Sequence, residues 1–135
     1  MVTAHATSRY VRTSAQKAGL VLDLIRGLDV THALATLKFA RKMVAADIAK
    51  VLQSAIANAQ TKDGFGGDVE RLFVSACWAD QGPSMKRVRP APMGRAFRVV
   101  KRTAHLNITV AERTVKETAA PSRSKRVAAA KRKQD

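Results

Sequence analysis

The feature that most constrains this fold is a basic segment, 82–103, that lies between two stretches of alternating sequence. It contains seven cations and no acid. Leu72 to Ala79 before it and His105 to Val110 after it alternate between two faces, as β-strands do. Turn-forming glycines and prolines occupy the segment itself, so we predict an antiparallel hairpin over about 82–103. An isolated two-stranded ribbon is marginal in water and these cations repel one another, so a partner must supply negative charge.

The predicted hairpin is long. If the tip lies near Arg89, about 14 residues separate it from Thr103 at the base. At about 3.3 Å per residue, this allows an arm of roughly 45 Å. Phe97, Val99 and Val100 are interleaved with the cations and retain strand propensity. Arginine suits a phosphate partner because its planar guanidinium can donate two parallel hydrogen bonds. The segment therefore predicts contact with a nucleic-acid backbone rather than a merely solvated loop.

The positive charge is concentrated in two parts of the chain. The 135 residues contain 25 Lys and Arg against 10 Asp and Glu, a net charge of +15. Residues 28–83 are neutral, whereas 84–115 carry +7 and 116–135 carry +5. We predict one domain over 1–115 and a disordered basic tail over 116–135, whose composition offers no core face. A solubilising extension with incidental affinity for polyanions is the alternative for that tail.

The neutral body is predicted to contain three helices. The first begins at Thr13 or Ser14 and ends at Gly27. The second begins at Asp29, and the third begins near Lys42. The apolar residues at helical spacing are Ala18, Val21, Leu22 and Ile25, then Ala33, Leu34 and Leu37, and then Val44, Ile48, Val51, Leu52, Ala55, Ile56 and Ala59.

A third strand, around His5 to Val11, completes the predicted sheet. The expected fold is α+β, with three helices packed on a small antiparallel sheet, a long protruding hairpin and the disordered basic tail. We expect Trp78 to pack over the helices, with stacking on a nucleic-acid base as the alternative. Cys77 lies in the same strand and is expected to be a small buried residue.

The sequence argues against several classes of protein. A single cysteine cannot form an internal disulfide, and the first dozen residues lack the apolar region of a signal peptide. No run of about 18 apolar residues is present, so we expect a cytoplasmic protein without a membrane span. Three scattered histidines and the absence of a phosphate loop predict no metal, no cofactor and no catalytic residue.

Short motifs follow one another in a characteristic order between Thr7 and Glu112. The early ones are Ser14-Ala15-Gln16-Lys17-Ala18, Leu24-Ile25-Arg26-Gly27 and Ser54-Ala55-Ile56-Ala57-Asn58-Ala59. The later ones are Gly82-Pro83-Ser84-Met85-Lys86-Arg87, Gly94-Arg95-Ala96 and Lys101-Arg102-Thr103-Ala104-His105-Leu106. In this order they resemble the bacterial large-ribosomal-subunit protein twenty-two family.

The resemblance implies a structural constituent of the large ribosomal subunit. Its hairpin would bind large-subunit rRNA, bridge rRNA domains during assembly and line the polypeptide exit tunnel with its tip. Its partners would be this rRNA, neighbouring ribosomal proteins at the tunnel and the nascent polypeptide, with no DNA expected. The candidate rRNA-binding residues are Arg9, Arg12, Lys17, Lys86, Arg87, Arg89, Arg95, Arg98, Lys101, Arg102 and His105. The candidate tunnel-tip residues are Met85, Lys86, Arg87, Val88, Arg89, Pro90 and Met93.

Two other functions compete with this interpretation. An architectural DNA-binding protein would also use a basic β-arm, with Pro90 or Pro92 as a wedge at its tip. An RNA-modifying enzyme would need a cofactor loop or a convergent acid and base, which the sequence lacks. We expect recognition of RNA by shape and backbone, because side chains cannot easily read the deep major groove of an A-form helix.

Overall fold

Three helices cover one face of a three-stranded antiparallel sheet in the computed structural model, which describes residues 2–113. The predicted α+β fold is confirmed. The predicted basic tail, 116–135, lies outside the described residues. In chain order the elements are β1 (Thr3–Val11), α1 (Ala15–Ile25), α2 (Val30–Phe39), α3 (Val44–Gln60), a short 3-10 helix (Val69–Arg71), β2 (Leu72–Gln81), β3 (Met85–Pro90), β4 (Ala96–Lys101) and β5 (Ala104–Glu112).

Helix α1 begins and ends where the sequence predicts. Ser14 is its N-cap, and the hydroxyl oxygen accepts a hydrogen bond of 3.3 Å from the backbone N–H of Lys17. This bond satisfies one of the N–H groups that the start of a helix leaves unpaired. Gly27 follows the helix with a φ of 77°, a left-handed conformation that glycine adopts without steric cost. Of the two N-caps that the sequence allows, the structure therefore uses Ser14.

Asp29 precedes α2 as predicted, but its carboxylate forms an ion pair of 3.2 Å with Arg113 instead of capping the helix.

The core lies between the helices and the sheet. Leu34 and Ile56, predicted to face inward, are only partly buried. Each fully buried aliphatic side chain contributes roughly 1.5–3 kcal/mol. The largest of them are Leu22, Ile25, Ile48, Leu52, Leu72, Leu106 and Ile108.

Strand β5 is the middle strand of the sheet, between β1 and β2. Its alternate side chains face the helices and are buried, as the sequence predicts. On the far side of β2, the loop after α1 adds two hydrogen bonds to the strand. The N–H of Gly27 donates to the carbonyl oxygen of Val74 at 3.0 Å, and the N–H of Val74 donates to that of Leu28 at 2.9 Å. These bonds fix the end of α1 against the sheet.

Side chains from α3 and from the turn after it occupy the outer edge of β1. Asn58 Nδ2 donates to the carbonyl oxygen of His5 at 3.0 Å, and Lys62 Nζ donates to that of Thr3. The pairing of β1 with β5 directs both carbonyl groups away from β5. Helix α3 and the turn that follows it therefore satisfy backbone groups that the sheet leaves unpaired at this edge.

A bulge in β2 reverses the expected orientation of Trp78. The pairing with β5 shifts by one residue between Val74 and Ala76, so Ser75 is the extra residue. After the bulge Cys77 faces the core, whereas Trp78 lies on the open face of the sheet and is 46% exposed. The expectation that Trp78 packs over the helices is therefore wrong, because a one-residue shift moves every following side chain to the other face. The predicted burial of Cys77 is confirmed.

The protruding hairpin is a ladder of its own, formed by β3 and β4. Its pairs run from Met85 opposite Lys101 to Pro90 opposite Ala96. Between this ladder and that of β2 and β5, the three residues 82–84 lie opposite only two, Arg102 and Thr103. The arm therefore continues the sheet across a second local irregularity.

The tip of the hairpin lies about four residues beyond the predicted position at Arg89. Residues 91–95 form the turn, in which Met93 and Gly94 have φ values of 61° and 70°. Met85, predicted to be at the tip, lies at the base of the ladder. From Gly82 to this turn is about ten residues, so the arm is about 33 Å long rather than 45 Å. The alternation of side chains along a strand does not indicate where the chain turns back. The pairing register between β3 and β4 sets that position.

Candidate nucleic-acid interface

The hairpin exposes all seven of its cations. Within residues 2–113 the ion pairs join Arg26 to Asp23, Arg71 to Asp68 and Arg113 to Asp29, and all three lie in the body. The cations of the arm therefore have no acidic partner in the described part of the chain. This leaves their charge available to an external anion.

Each cation of the β3–β4 ladder lies opposite an apolar residue. The cross-strand pairs are Met85 with Lys101, Lys86 with Val100, Arg87 with Val99, Val88 with Arg98, and Arg89 with Phe97. Because like charges directly opposite each other destabilise a ladder, this register limits the repulsion within the arm.

The register also divides the cations between the two faces of the arm. Lys86 and Arg98 share one face, and Arg87, Arg89 and Lys101 share the other, because cross-strand partners point to the same side. Both faces of the hairpin are therefore basic. Such an arm is suited to lie between two polyanionic surfaces rather than against one.

A groove at the base of the hairpin brings together four of the predicted site residues. Arg12 follows β1, Lys17 lies in the first turn of α1, Lys101 ends β4 and Arg102 follows it. They line one open groove of about 460 Å³, together with residues of the α1 start and with Val100. Four cations from three elements thus converge where the arm leaves the body.

A second groove continues from the first across the start of α1. It has a volume of about 270 Å³ and shares Arg12 and Lys17 with the groove at the hairpin base. It adds Lys42 and Met43 from the turn before α3, and Asp47 from the first turn of that helix. Sequence reasoning missed Lys42, because it lies in the neutral part of the chain and only the tertiary fold brings it to the others.

Arg9 and His105 meet through Tyr10, which the sequence interpretation did not select. The backbone N–H of Tyr10 donates to His105 Nδ1 at 3.0 Å, and the two rings pack edge to face at 4.9 Å. The Arg9 guanidinium lies 5.3 Å from the centre of the Tyr10 ring. Tyr10 has a φ of 58° and is 56% exposed. The sequence signal that could have selected Tyr10 is its position between two arginines, Arg9 and Arg12.

The remaining candidate residues lie along the arm, from Met85 beside Lys101 at its base to the turn at its far end. Pro90 ends β3, and Met93 lies in the turn with 93% of its surface exposed. The predicted residues thus form two sets, one at the base of the hairpin and one along its length to the turn. The structure does not gather them into a single pocket.

The single cysteine, Cys77, is placed as a packing residue rather than as a reactive thiol. Cys77 is buried, its thiol donates to the carbonyl oxygen of Leu22 at 3.3 Å, and burial raises its pKa. The thiol is therefore protonated at neutral pH and shielded from substrates. Within residues 2–113 no three potential metal ligands lie together, and no helix there is long and apolar enough to cross a bilayer.

Comparison with known proteins agrees with this arrangement. Residues 6–111 match the family described as Ribosomal protein L22p/L17e. One relative is the "Large ribosomal subunit protein uL22" of Solibacter usitatus (strain Ellin6076), which is 53% identical over 108 residues. That match covers 80% of this chain and 95% of the relative. With its α+β body, its basic arm and this extent of similarity, the chain belongs to the ribosomal protein L22p/L17e family.

Proposed function

We propose that this protein is a structural constituent of the large ribosomal subunit that binds large-subunit rRNA and bridges rRNA domains through its hairpin. Membership of the L22 family makes it a non-enzymatic ribosomal protein of the cytoplasm, with rRNA and other ribosomal proteins as partners. Bridging of rRNA domains and lining of the exit tunnel would both depend on the geometry of the arm.

The observation that carries the bridging proposal is the presence of cations on both faces of the hairpin. Lys86 and Arg98 on one face and Arg87, Arg89 and Lys101 on the other can neutralise phosphates of two RNA segments at once. Those segments would otherwise repel each other. The groove at the hairpin base supplies further cations and anchors the body at the point where the arm enters the RNA.

We also infer that the far end of the arm lines the polypeptide exit tunnel and meets the nascent chain. The turn 91–95 is the part of the arm most distant from the body, and Met93 is almost fully exposed there. Val88, Arg89 and Pro90 flank the turn, whereas Met85 and Lys86 lie near the base and would contact rRNA outside the tunnel wall. The proposed tunnel-facing set is therefore shifted toward 88–95.

Reconstitution of the large subunit from purified rRNA and proteins tests the bridging proposal. The variant Lys86→Ala/Arg98→Ala removes both ladder cations of one face, and Arg87→Ala/Arg89→Ala removes two of the three on the other. Either should reduce retention on the large subunit through a high-salt wash. Lys50→Ala, an exposed lysine on α3 outside both grooves, is the control and should be retained like the wild type.

The same experiment separates the proposal from an architectural DNA-binding role. A bridging ribosomal protein stays on the large subunit at high salt, because its phosphate contacts are enclosed in folded RNA. Release at moderate salt together with equal binding to bulk DNA would instead identify a peripheral polyanion binder and overturn the proposal.

A further inference from the structure

The turn between α2 and α3 forms one side of a groove that the hairpin-based proposal leaves unexplained. The groove has a volume of about 610 Å³. Leu34, Leu37, Ala45 and Ala49 form its apolar wall, and its rim carries three cations. Those rim residues are Lys38, Arg41 and Lys42.

This turn also exposes two large apolar side chains among the cations. Met43 lines the groove and is 89% exposed, and Phe39, the last residue of α2 and the chain neighbour of the lining residue Lys38, is 82% exposed. From Val30 to Ala46 the chain contains these three cations and no acid. An aromatic and a thioether side chain held in water beside uncompensated positive charge indicate a surface that binds something both anionic and flat.

The groove is continuous with the one at the hairpin base. Lys42 and Met43 line both the α2–α3 groove and the middle groove at the start of α1. Arg12 and Lys17 line both that middle groove and the groove at the hairpin base. Among all the residues that line the three grooves, Asp47 is the one acid. A single basic track therefore runs from the α2–α3 turn to the base of the arm.

The chemistry of this track favours a nucleic-acid strand over an acidic peptide. Cations spaced along a groove follow a phosphate backbone, and exposed apolar side chains bind the flat faces of unpaired bases. The end of the track at Lys101 and Arg102 already belongs to the proposed rRNA-binding surface, and the inference rests on that proposal.

We propose that the α2–α3 groove is a further rRNA-binding site, in which an unpaired strand crosses the body with its phosphates on Lys38, Arg41 and Lys42 and a base against Phe39 and Met43. The strand continues along the basic track to the hairpin base. The body thus contributes its own single-stranded RNA contact, separate from the contacts of the arm.

Binding of a fluorescein-labelled oligouridylate to the full chain tests the phosphate contacts. Lys42→Ala should weaken binding and make the plot of log K against log salt less steep by about 0.7, the contribution of one phosphate contact on a single strand. Lys50→Ala removes the same charge from α3 outside the track and should leave both quantities unchanged. Equal effects of the two variants would mean general attraction to a basic protein and would overturn the proposal.

An abasic oligomer of the same length tests the base contact. Wild-type protein should prefer oligouridylate to the abasic oligomer, and Phe39→Ala/Met43→Ala should reduce that preference by about tenfold. Lys42→Ala should weaken binding of both oligomers alike. Because both truncated side chains are more than four-fifths exposed, the double variant should keep the urea midpoint of the wild type.

Arg98→Ala distinguishes failure of this inference from failure of the proposed function. If Arg98→Ala weakens binding to deproteinised large-subunit rRNA while the groove variants bind as the wild type, the groove is not an RNA site and the bridging proposal stands. If Arg98→Ala also binds like Lys50→Ala, the proposed function itself fails. Groove variants that bind RNA normally but assemble subunits lacking a neighbouring protein would identify a protein as the occupant and overturn the inference.

Discussion

The backbone N–H of Gly82 donates to the carbonyl oxygen of Thr103 at 2.9 Å, at the point where the body ends and the arm begins. The Thr103 hydroxyl donates in turn to the carbonyl oxygen of Pro83 at 2.6 Å, and Thr103 is only 5% exposed. A Cβ atom at position 82 would lie 2.5 Å from Thr103 Oγ1 and 3.2 Å from its backbone. The two strands can approach this closely because residue 82 has no side chain.

We expect Gly82→Ala to destabilise this junction. The added methyl group must displace the Thr103 hydroxyl from its bond to Pro83, which should lower the free energy of unfolding by about 1–2 kcal/mol. Urea titration followed by the fluorescence of Trp78 measures the change.

Gly19→Ala is the matched control for the junction. Gly19 lies within α1, and a methyl group added there would meet no atom within 4 Å, so alanine should raise stability by about 0.5–1 kcal/mol. Equal effects of the two substitutions would show that the close contact at Gly82 is unimportant.

Shortening the arm should leave the body as stable as before. Every side chain of the hydrophobic core belongs to the body, so residues 90–96 can be replaced by Asn-Gly between the paired residues Arg89 and Phe97. The midpoint and slope of urea unfolding should match those of the wild type. A clear loss of stability would mean that the far half of the arm supports the core.

The free protein should have a mobile arm. The β3–β4 ladder is exposed except at Val99 and Val100, which are half-buried, and it has no apolar layer to support it, unlike the sheet of the body. Backbone order parameters from NMR should fall below about 0.6 for Met85 to Gly94 and stay near 0.85 in α3. Rigid values along the arm of the isolated protein would contradict this prediction.

The stability of the protein should fall at high pH because of Cys77. Burial raises the pKa of its thiol above the ordinary value of 9.0, so the folded state retains a proton that the unfolded state loses. The contribution is complete below the pKa of the unfolded thiol and is lost as the pH rises above it. Cys77→Ala should flatten this part of the pH profile of unfolding, and alkylation of the native thiol should be much slower than in urea.

Asp80 should hold the indole of Trp78 on the open face of the sheet. Its Oδ2 atom accepts hydrogen bonds from Trp78 Nε1 at 3.1 Å and from Asn107 Nδ2 at 2.8 Å. Asp80→Ala should cost no more than about 1 kcal/mol, since these groups are exposed, but should increase quenching of the single tryptophan by acrylamide. Asp63→Ala, in the exposed loop after α3, should change neither quantity.

The elements of the body could be predicted because each carries a local signal. Ala18, Val21, Leu22 and Ile25 share one helical face and are the four buried residues of α1. Glycine after the helix fixes its end. For the strands of the sheet, the local signal is the alternation of side chains between two faces.

The positions that the sequence did not predict depend on register and on tertiary contact. The bulge at Ser75 leaves no trace in a strand whose two faces are both largely apolar, so the exposure of Trp78 could not be read from the pattern. The hairpin turn at Met93 depends on a left-handed backbone that the residue type does not indicate. Lys42 joins Arg12 only because α3 begins beside the start of α1.

The hydrogen bonds that Asn58 of α3 and Lys62 after it donate to the edge of β1 matter in the interval between synthesis and assembly. Exposed strand edges are where copies of a protein add to one another and begin to aggregate. An incoming strand would have to displace Asn58 from His5 and Lys62 from Thr3 before it could pair with β1. On the other side, the loop at Gly27 already occupies part of β2. Together with the mutual repulsion of copies that each carry +15, these blocked edges oppose the addition of one copy's strand to another's sheet.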